Sequence, residues 1–304
     1  MPRHTRCALF LLVVPALAAA EEKVAATVNG EAVTVPELSA ALAQLPAVEG
    51  PTSAAEQKQR RADVLQLLID DRLVRQYLRH HGPKVDPAEV ERQFAALEAG
   101  QKAQGKTVDA YLKEAGLTAR EAKDNFLRML QLAKYVEAQA SDATLRSYFE
   151  ANRDFFDKTT VRTSHIVLRL TAASPPAERL KASEKLRTIR AELAEKRTDF
   201  ASAARAHSQC PSAPKGGDVG YIVRKFQTDE AYARAAFALP VGGVSDVVET
   251  DQGVHLIWVT DRKPGKPAKF EDVATEVREC FEAELKQNLL AELRRKAKIE
   301  LKNQ

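Results

Sequence analysis

Two histidines and one cysteine are the side chains of this sequence best suited to chemistry. His165 and His255 lie in segments that alternate in character, and Cys210 lies in a glycine-rich loop between them. An imidazole can exchange a proton near neutral pH, and a thiol can act as a nucleophile or as a polar group. The spacing alone favours two hydrogen-bonded core histidines and an unrelated loop cysteine, so it names no reaction.

The segments that must position these residues predict one small α+β unit. Residues 161–170 alternate as a strand does, which places His165 on the face of Val161, Thr163 and Val167. Residues 254–259 predict a second strand, with His255 on the face of Ile257 and Val259. Both imidazoles should then point into an apolar layer. Helices are predicted through Leu186, Ile189 and Leu193, after Asp199, and over residues 229–239.

Helical patterns dominate on both sides of that unit. Residues 24–34 predict a strand and a turn, and capping boxes at Thr34 and Thr118, like the cap at Asp86, predict helix starts. After a Pro- and Gly-rich linker at 264–267, residues 270–301 predict a long amphipathic helix. Such a helix must pack on the N-terminal helices or on another subunit, which allows a homodimer.

The first twenty residues predict a secretory signal. Arg3 and Arg6 precede a short apolar run, which ends in small residues at 18–20. No later stretch approaches the length of a membrane helix, so we expect a periplasmic chain without stable membrane insertion.

Composition excludes several classes of function. The chain has 304 residues, of which 44% are apolar and 29% charged, so it is too apolar to be disordered. A mixed net charge of +4 and 6% aromatic residues give no basis for nucleic-acid binding. The adjacent pair His80 and His81 diverges on a helix, and Gly216 to Gly220 lacks dinucleotide spacing, so neither a metal nor a cofactor is expected.

Around the two histidines and the cysteine, the sequence resembles the parvulin family of peptidyl-prolyl isomerases. The resemblance covers about a hundred residues in the family's order. The matching segments are 163–168 (TSHIVL), 208–213 (SQCPSA), 216–220 (GGDVG), 236–242 (AFALPVG) and 250–255 (TDQGVH).

The flanks resemble exported chaperone isomerases of the SurA and PrsA type, through residues 24–31 (VAATVNGE) and the C-terminal helix. This implies an α+β fold in which a parvulin domain is inserted between two parts of one helical chaperone module. The expected division is a signal peptide at 1–20, an N-terminal helical domain at 21–157, the isomerase domain at 158–263 and a C-terminal helix at 264–304.

By this resemblance, His165 and His255 form a buried pair beneath a proline pocket, and Thr250 tunes the pair. Cys210 then lies near the twisting carbonyl as a polar group. A cysteine protease would also need an oxyanion hole, which no motif indicates. The resemblance implies a pocket wall formed by Val219, Tyr232 and Phe237, with Phe226 or Gln227 in the place of a customary methionine.

The expected function is isomerisation of Xaa-Pro bonds in unfolded or exported polypeptides, with chaperone activity. No arginine or lysine cluster follows residues 161–170, so specificity for phosphoserine-proline is not expected. Residues 222–227 depart from the family pattern. The alternative is therefore a binding chaperone, a holdase whose parvulin domain holds peptide without turning it over.

Overall fold

The computed structural model describes residues 23–46, 53–171 and 174–302. The predicted signal at 1–20 lies outside these residues. Seven strands are described: β1 (Val24–Val28), β2 (Glu31–Thr34), β3 (Thr160–Arg169), β4 (Asp218–Val223), β5 (Val248–Thr250), β6 (Gly253–Lys263) and β7 (Ile299–Leu301).

Eleven α-helices are described in the same ranges: α1 (Val35–Gln44), α2 (Ala54–His81), α3 (Pro87–Ala103), α4 (Val108–Glu114), α5 (Ala119–Gln139), α6 (Asp142–Ala151), α7 (Arg153–Phe156), α8 (Pro176–Ala194), α9 (Phe200–His207), α10 (Glu230–Ala238) and α11 (Phe270–Lys296). None of these helices is long and apolar enough to cross a membrane.

The chain divides into two units by its internal contacts. The first unit takes residues 1–144 and 278–304, and the second takes residues 145–277. Each is therefore described by itself. The division lies thirteen to fourteen residues outside the isomerase domain boundaries expected from sequence, so residues 145–157 and 264–277 belong to the second unit.

The first unit combines helices with a three-stranded antiparallel sheet in the order β2-β1-β7. The prediction that the last helix extends to Leu301 is wrong at its C-terminal end. Helix α11 ends at Lys296, and residues 299–301 form β7. The amide of Asn29 donates to the carbonyl of Lys298, and the amide of Lys298 donates to the side chain of Asn29. These bonds align β7 with the open edge of β1, which offers hydrogen bonds that a further helical turn would not satisfy.

Local capping signals fix where the helices of the first unit begin. The Thr34 and Thr118 side chains each accept from the amide three residues later, and the carboxylates of Glu37 and Glu121 complete both capping boxes. Asp86 caps α3 by accepting a hydrogen bond from the amide of Ala88, two residues later. The core of this unit joins both chain ends, since Leu290 and Leu293 of α11 pack against apolar residues of β1, α1 and α2.

The second unit is a four-stranded antiparallel sheet in the order β4-β3-β6-β5, with helices on both faces. One face packs on α8 and α9 through Ile166, Leu256 and Leu186. The other face packs on α10 through Val161, Ile257 and Val259. This confirms the predicted α+β class.

The register of β3 and β6 decides where the histidines point. His165 lies opposite Ile257, and Val167 lies opposite His255. Residues directly opposite each other share a face of the sheet, so both imidazoles lie on the α10 face. The predicted orientation into an apolar layer is confirmed.

Candidate active site

Three rings meet between the sheet and α10. The ring centroids of His165 and His255 are 5.6 Å apart, and the Tyr232 ring stands nearly perpendicular to both, at 5.8 Å from His165 and 5.7 Å from His255. His255 is 4% exposed and Tyr232 is 6% exposed. The sheet register and one helix thus bring three polar rings into an apolar layer.

A close approach of two backbones fixes His165. Its amide donates to the carbonyl of Gly217 at 2.9 Å. Gly217 has a φ of 82°, and a Cβ built on it would lie 2.4 Å from the carbonyl oxygen of His165. Only glycine fits between the loop and the strand at this point.

The loop that carries Cys210 is bound along β3. The amide of Gln209 donates to the carbonyl of Val167 at 2.8 Å, and the amide of Val167 donates to Oγ of Ser208 at 3.2 Å. The amide of Cys210 also donates to that hydroxyl, at 3.4 Å. These bonds hold the half-buried thiol beside the strand of His165.

The β5–β6 turn orients His255. Thr250 Oγ1 lies 2.8 Å from Nε2 of His255, and it accepts a hydrogen bond from the amide of Gln252 at 3.1 Å. Thr250 is 9% exposed, so the contact between its hydroxyl and the imidazole is shielded from solvent. A buried bond of this kind fixes both the ring orientation and the tautomer.

Tyr232 is held by two residues to which the sequence reading gave no role. Its hydroxyl lies 3.1 Å from Oγ1 of Thr163, which is fully buried. Asp229 caps α10 by accepting from the amides of Ala231 and Tyr232. The Asp229 cap could have been found as an aspartate just before a helix start, whereas the Thr163 contact joins residues distant in sequence.

Burial keeps both imidazoles neutral. It lowers the pKa of His165 to about 4, and the nearby positive charge of Arg169 acts in the same direction. Burial also lowers the pKa of His255 to about 4, helped by His165 and opposed by Asp229. At pH 7 the site therefore carries two uncharged rings that can donate and accept hydrogen bonds.

The hydroxyl of Tyr232 is also held uncharged. Burial raises its pKa to about 12, and the bond to Thr163 opposes this rise.

The arrangement lacks the hydrogen bond of a cysteine-histidine nucleophile. In the described part of the chain, neither ring nitrogen of His165 has a hydrogen-bond partner, and neither does Nδ1 of His255. The remaining nitrogen of His255 faces Thr250. A base that activates a thiol must contact it, so the geometry favours a polar role for Cys210.

The residues expected in the pocket wall lie in different surroundings. Phe237 is buried with Tyr232 in the layer between α10 and the sheet, and Val219 on β4 is 39% exposed. The ring of Phe226 contacts that of Phe155 at 5.6 Å, and the side chain of Gln227 accepts from the amide of Val223. The structure thus pairs Phe226 and Gln227 with neighbours outside the three-ring cluster, and their contact with substrate stays a prediction.

A cleft of about 660 Å³ borders this site. It shares Thr250 with the cluster and reaches the start of α10, and its walls carry charges of both signs from Arg179, Asp229, Glu230, Arg234, Glu249 and Asp251. Among the described residues there is no group of three or more histidine, cysteine, aspartate or glutamate side chains that could hold a metal.

Family comparisons assign the class of both parts of the chain. Residues 165–261 match the family described as PPIC-type PPIASE domain, and residues 7–136 match the SurA-like N-terminal domain. The first match spans both histidines, Cys210 and Tyr232. The fold and the site thus define a peptidyl-prolyl isomerase domain of the parvulin type, accompanied by a SurA-like domain.

Relatives matched over about two thirds of the chain narrow this class to one family. The chain is 30% identical over 223 residues to the foldase protein PrsA of Geobacillus sp. (strain WCH70), covering 71% of this chain and 69% of that protein. It is 31% identical over 204 residues to the foldase protein PrsA of Bacillus subtilis (strain 168), covering 64% of this chain and 58% of that protein. The chain belongs to the PrsA foldase family.

A crystal structure of the peptidylprolyl isomerase PrsA from Bacillus anthracis is also similar. It covers 77% of this chain and 97% of that chain, with 21% identity and a TM-score of 0.43.

Proposed function

We propose that this chain catalyses cis-trans isomerisation of Xaa-Pro bonds in unfolded or exported polypeptides and assists their folding as a chaperone. The observation that carries the proposal is the cluster of His165, His255 and Tyr232 between the sheet and α10, with Cys210 in the loop that is bound along β3. The cluster lies inside the matched isomerase domain, and its rings are neutral at physiological pH.

The reaction asks little covalent chemistry of the protein. Rotation about a peptide bond meets a barrier of about 18–20 kcal/mol, and before proline the cis and trans forms differ by only about 0.5–1 kcal/mol. No bond needs to break. Catalysis requires a dry surface that grips the proline ring and polar groups that bind the twisted amide better than the planar one.

The residues divide these tasks. We assign Tyr232 and Phe237 to the apolar grip on the proline ring, with Val219 at its rim. The neutral imidazoles of His165 and His255, oriented by Thr250, supply a fixed polar environment below the amide. Cys210 is assigned to a position near the carbonyl oxygen, where a thiol is a weak hydrogen-bond donor.

We also propose that the protein acts in the periplasm. The predicted signal at 1–20 supports export. The match of residues 7–136 to a SurA-like N-terminal domain supports the same placement. This placement predicts that the mature chain begins near residue 21, which mass spectrometry of the exported protein would test.

The decisive variant is His255→Ala, with His80→Ala in the first unit as the matched control. Isomerisation is measured by NMR exchange on a short Xaa-Pro peptide, and chaperone activity by suppression of aggregation of a proline-containing unfolded protein. Removing His255 takes the imidazole partner from the Thr250 hydroxyl and removes one of the three rings of the cluster. We expect a loss of about tenfold or more in exchange rate, the size typical of a lost buried hydrogen-bond partner.

Aggregation suppression should stay unchanged in both variants. If exchange is unchanged in His255→Ala, the site assignment is wrong. If the unmodified protein suppresses aggregation without accelerating exchange, it is the non-catalytic holdase that the altered 222–227 segment favours.

A further inference from the structure

The loop between β4 and α10 is held by residues outside the expected isomerase boundaries. Lys225 is 5% exposed, and its ammonium lies 5.4 Å from the centre of the Tyr148 ring. The next residue, Phe226, meets Phe155 edge to face at 5.6 Å. Tyr148 belongs to α6 and Phe155 to α7. We call these four residues the loop–helix contact.

This contact must counter two local costs. Phe226 has a φ of 65°, a left-handed backbone conformation that is unfavourable for a bulky side chain. A buried lysine loses its hydration, and the contact of its ammonium with the face of an aromatic ring offsets part of that loss. Such strain persists only where the surroundings fix the conformation, and it concentrates at sites that need a set geometry.

Helix α7 is also connected to the C-terminal end of α10. Arg262 donates to the carbonyls of Phe237 and Leu239, where α10 ends, at 2.7 and 3.1 Å. Its guanidinium also lies 3.7 Å from the carboxylate of Asp154 in α7. Thus α7 contacts the loop before α10 through Phe155, and through Asp154 it contacts Arg262, which binds the end of α10.

The helix α7 is itself fixed within the second unit. Arg153 donates to the carbonyl of Ala268, and the amide of Ala268 donates to the side chain of Asp157. A Cβ on Gly265 would lie 1.5 Å from the carbonyl oxygen of Asp157, so these segments are in close contact. The predicted linker at 264–267 is therefore packed against the end of α7.

We propose that Phe155 is a positioning residue for the proline pocket. It holds Phe226 and with it the entry to α10, the helix that sets Tyr232 against both histidines. Loss of the Phe155 ring frees the loop, and Tyr232 then no longer meets the imidazoles at a fixed distance. The assignment rests on the proposed isomerase function, and Phe155 acts through α10 without touching substrate.

The test compares Phe155→Leu with Phe270→Leu in the full chain. Both phenylalanines lie in the second unit and are almost equally buried, at 8% and 9% exposed. Phe270 contacts Phe149 and Arg146 and serves as the control for lost aromatic packing. Isomerisation rates at varied peptide concentration separate KM from kcat, and amide hydrogen exchange of residues 230–238 reports on α10.

We expect Phe155→Leu to raise KM about fivefold with kcat changed less than about twofold, because the proline grip serves the ground and transition states alike. Exchange of α10 amides should also accelerate. Phe270→Leu should change neither quantity. Equal effects of both variants, or no effect of Phe155→Leu on KM and on α10 exchange, would overturn the proposal.

Phe226 provides a second variant that keeps the fold, since it is 55% exposed. If Phe226 acts through Phe155, the double variant Phe155→Leu with Phe226→Leu should have the same KM as each of the two single variants. If the two single-variant increases in KM multiply in the double variant, Phe226 contacts the substrate independently of Phe155, and the coupling is refuted. If the unmodified protein has no isomerase activity, the proposed function fails, while α10 exchange still decides the role of Phe155.

Discussion

Lowering the pH from 7 to 5 should destabilise the second unit through His165 and His255, whose ring nitrogens are shielded from solvent. Their pKa is about 4 in the folded chain, against an ordinary value of 6.5. Above pH 6.5 both states hold them neutral, so stability is constant. As the pH falls below 6.5, the unfolded chain binds protons that the folded chain does not bind, so the free energy of unfolding decreases. This decrease levels off below about pH 4.

The size of the effect follows from those values. At pH 5 each histidine should lower the free energy of unfolding by roughly 2 kcal/mol, or about 4 kcal/mol for the pair. Most carboxylates remain ionised at this pH, and the ion pair with Arg162 lowers the pKa of Asp218 further. The two imidazoles therefore dominate the change between pH 7 and pH 5.

The chain carries its own probe for this measurement. Trp258 is the single tryptophan, and it packs against Phe200 inside the second unit. Its fluorescence during urea unfolding at pH 7 and pH 5 reports this unit without a signal from the first. A variant with both His165→Gln and His255→Gln should lose most of the pH dependence, whereas the exposed His80→Gln should keep it. Equal pH dependence in the double variant and the unmodified protein would refute the reasoning.

Two further substitutions test the geometry of the site. Thr250→Val removes the hydroxyl next to His255 and should cost about 1–3 kcal/mol of stability together with isomerase activity, while Thr250→Ser should restore both; a neutral Val variant would contradict the assigned bond. Gly217→Ala should cost about 2 kcal/mol or more because its Cβ meets the His165 carbonyl, whereas Gly242→Ala, which has open space, should cost only about 1 kcal/mol for its positive φ. Urea unfolding measures both, and equal costs would rule out the steric argument.

Local patterns predicted the elements that hold the site. Alternation over 161–170 and 254–259 placed His165 and His255 on their faces correctly, because a buried face imposes a period of two on each strand. Capping residues such as Thr34 and Asp86 marked helix starts for the same local reason, since each bonds to a nearby amide.

Pairings over long sequence distances could not be predicted in this way. Residues 299–301 continue an amphipathic pattern, and only the open edge of β1 makes them a strand. Residues 264–267 have the composition of a linker, yet Gly265 is pressed against Asp157. The composition of residues 264–267 indicates that the segment is flexible by itself, but it does not indicate which part of the protein the segment packs against.

The candidate site shows the same division. The histidines, Cys210 and Thr250 lie in motifs that a family resemblance can align. The bond of Tyr232 to Thr163 and the contact of Phe226 with Phe155 join distant segments. The latter pair includes a residue from the segment that departs from the family pattern, where alignment gives no register.

The most direct test of the proposed function is NMR exchange on a short Xaa-Pro peptide with purified residues 21–304 at catalytic concentration and pH 7. The buried neutral cluster predicts accelerated exchange, reduced about tenfold or more by His255→Ala and unaffected by His80→Ala. Exchange that stays at the rate of free peptide, across several residues before proline, would contradict the assignment of this site to catalysis.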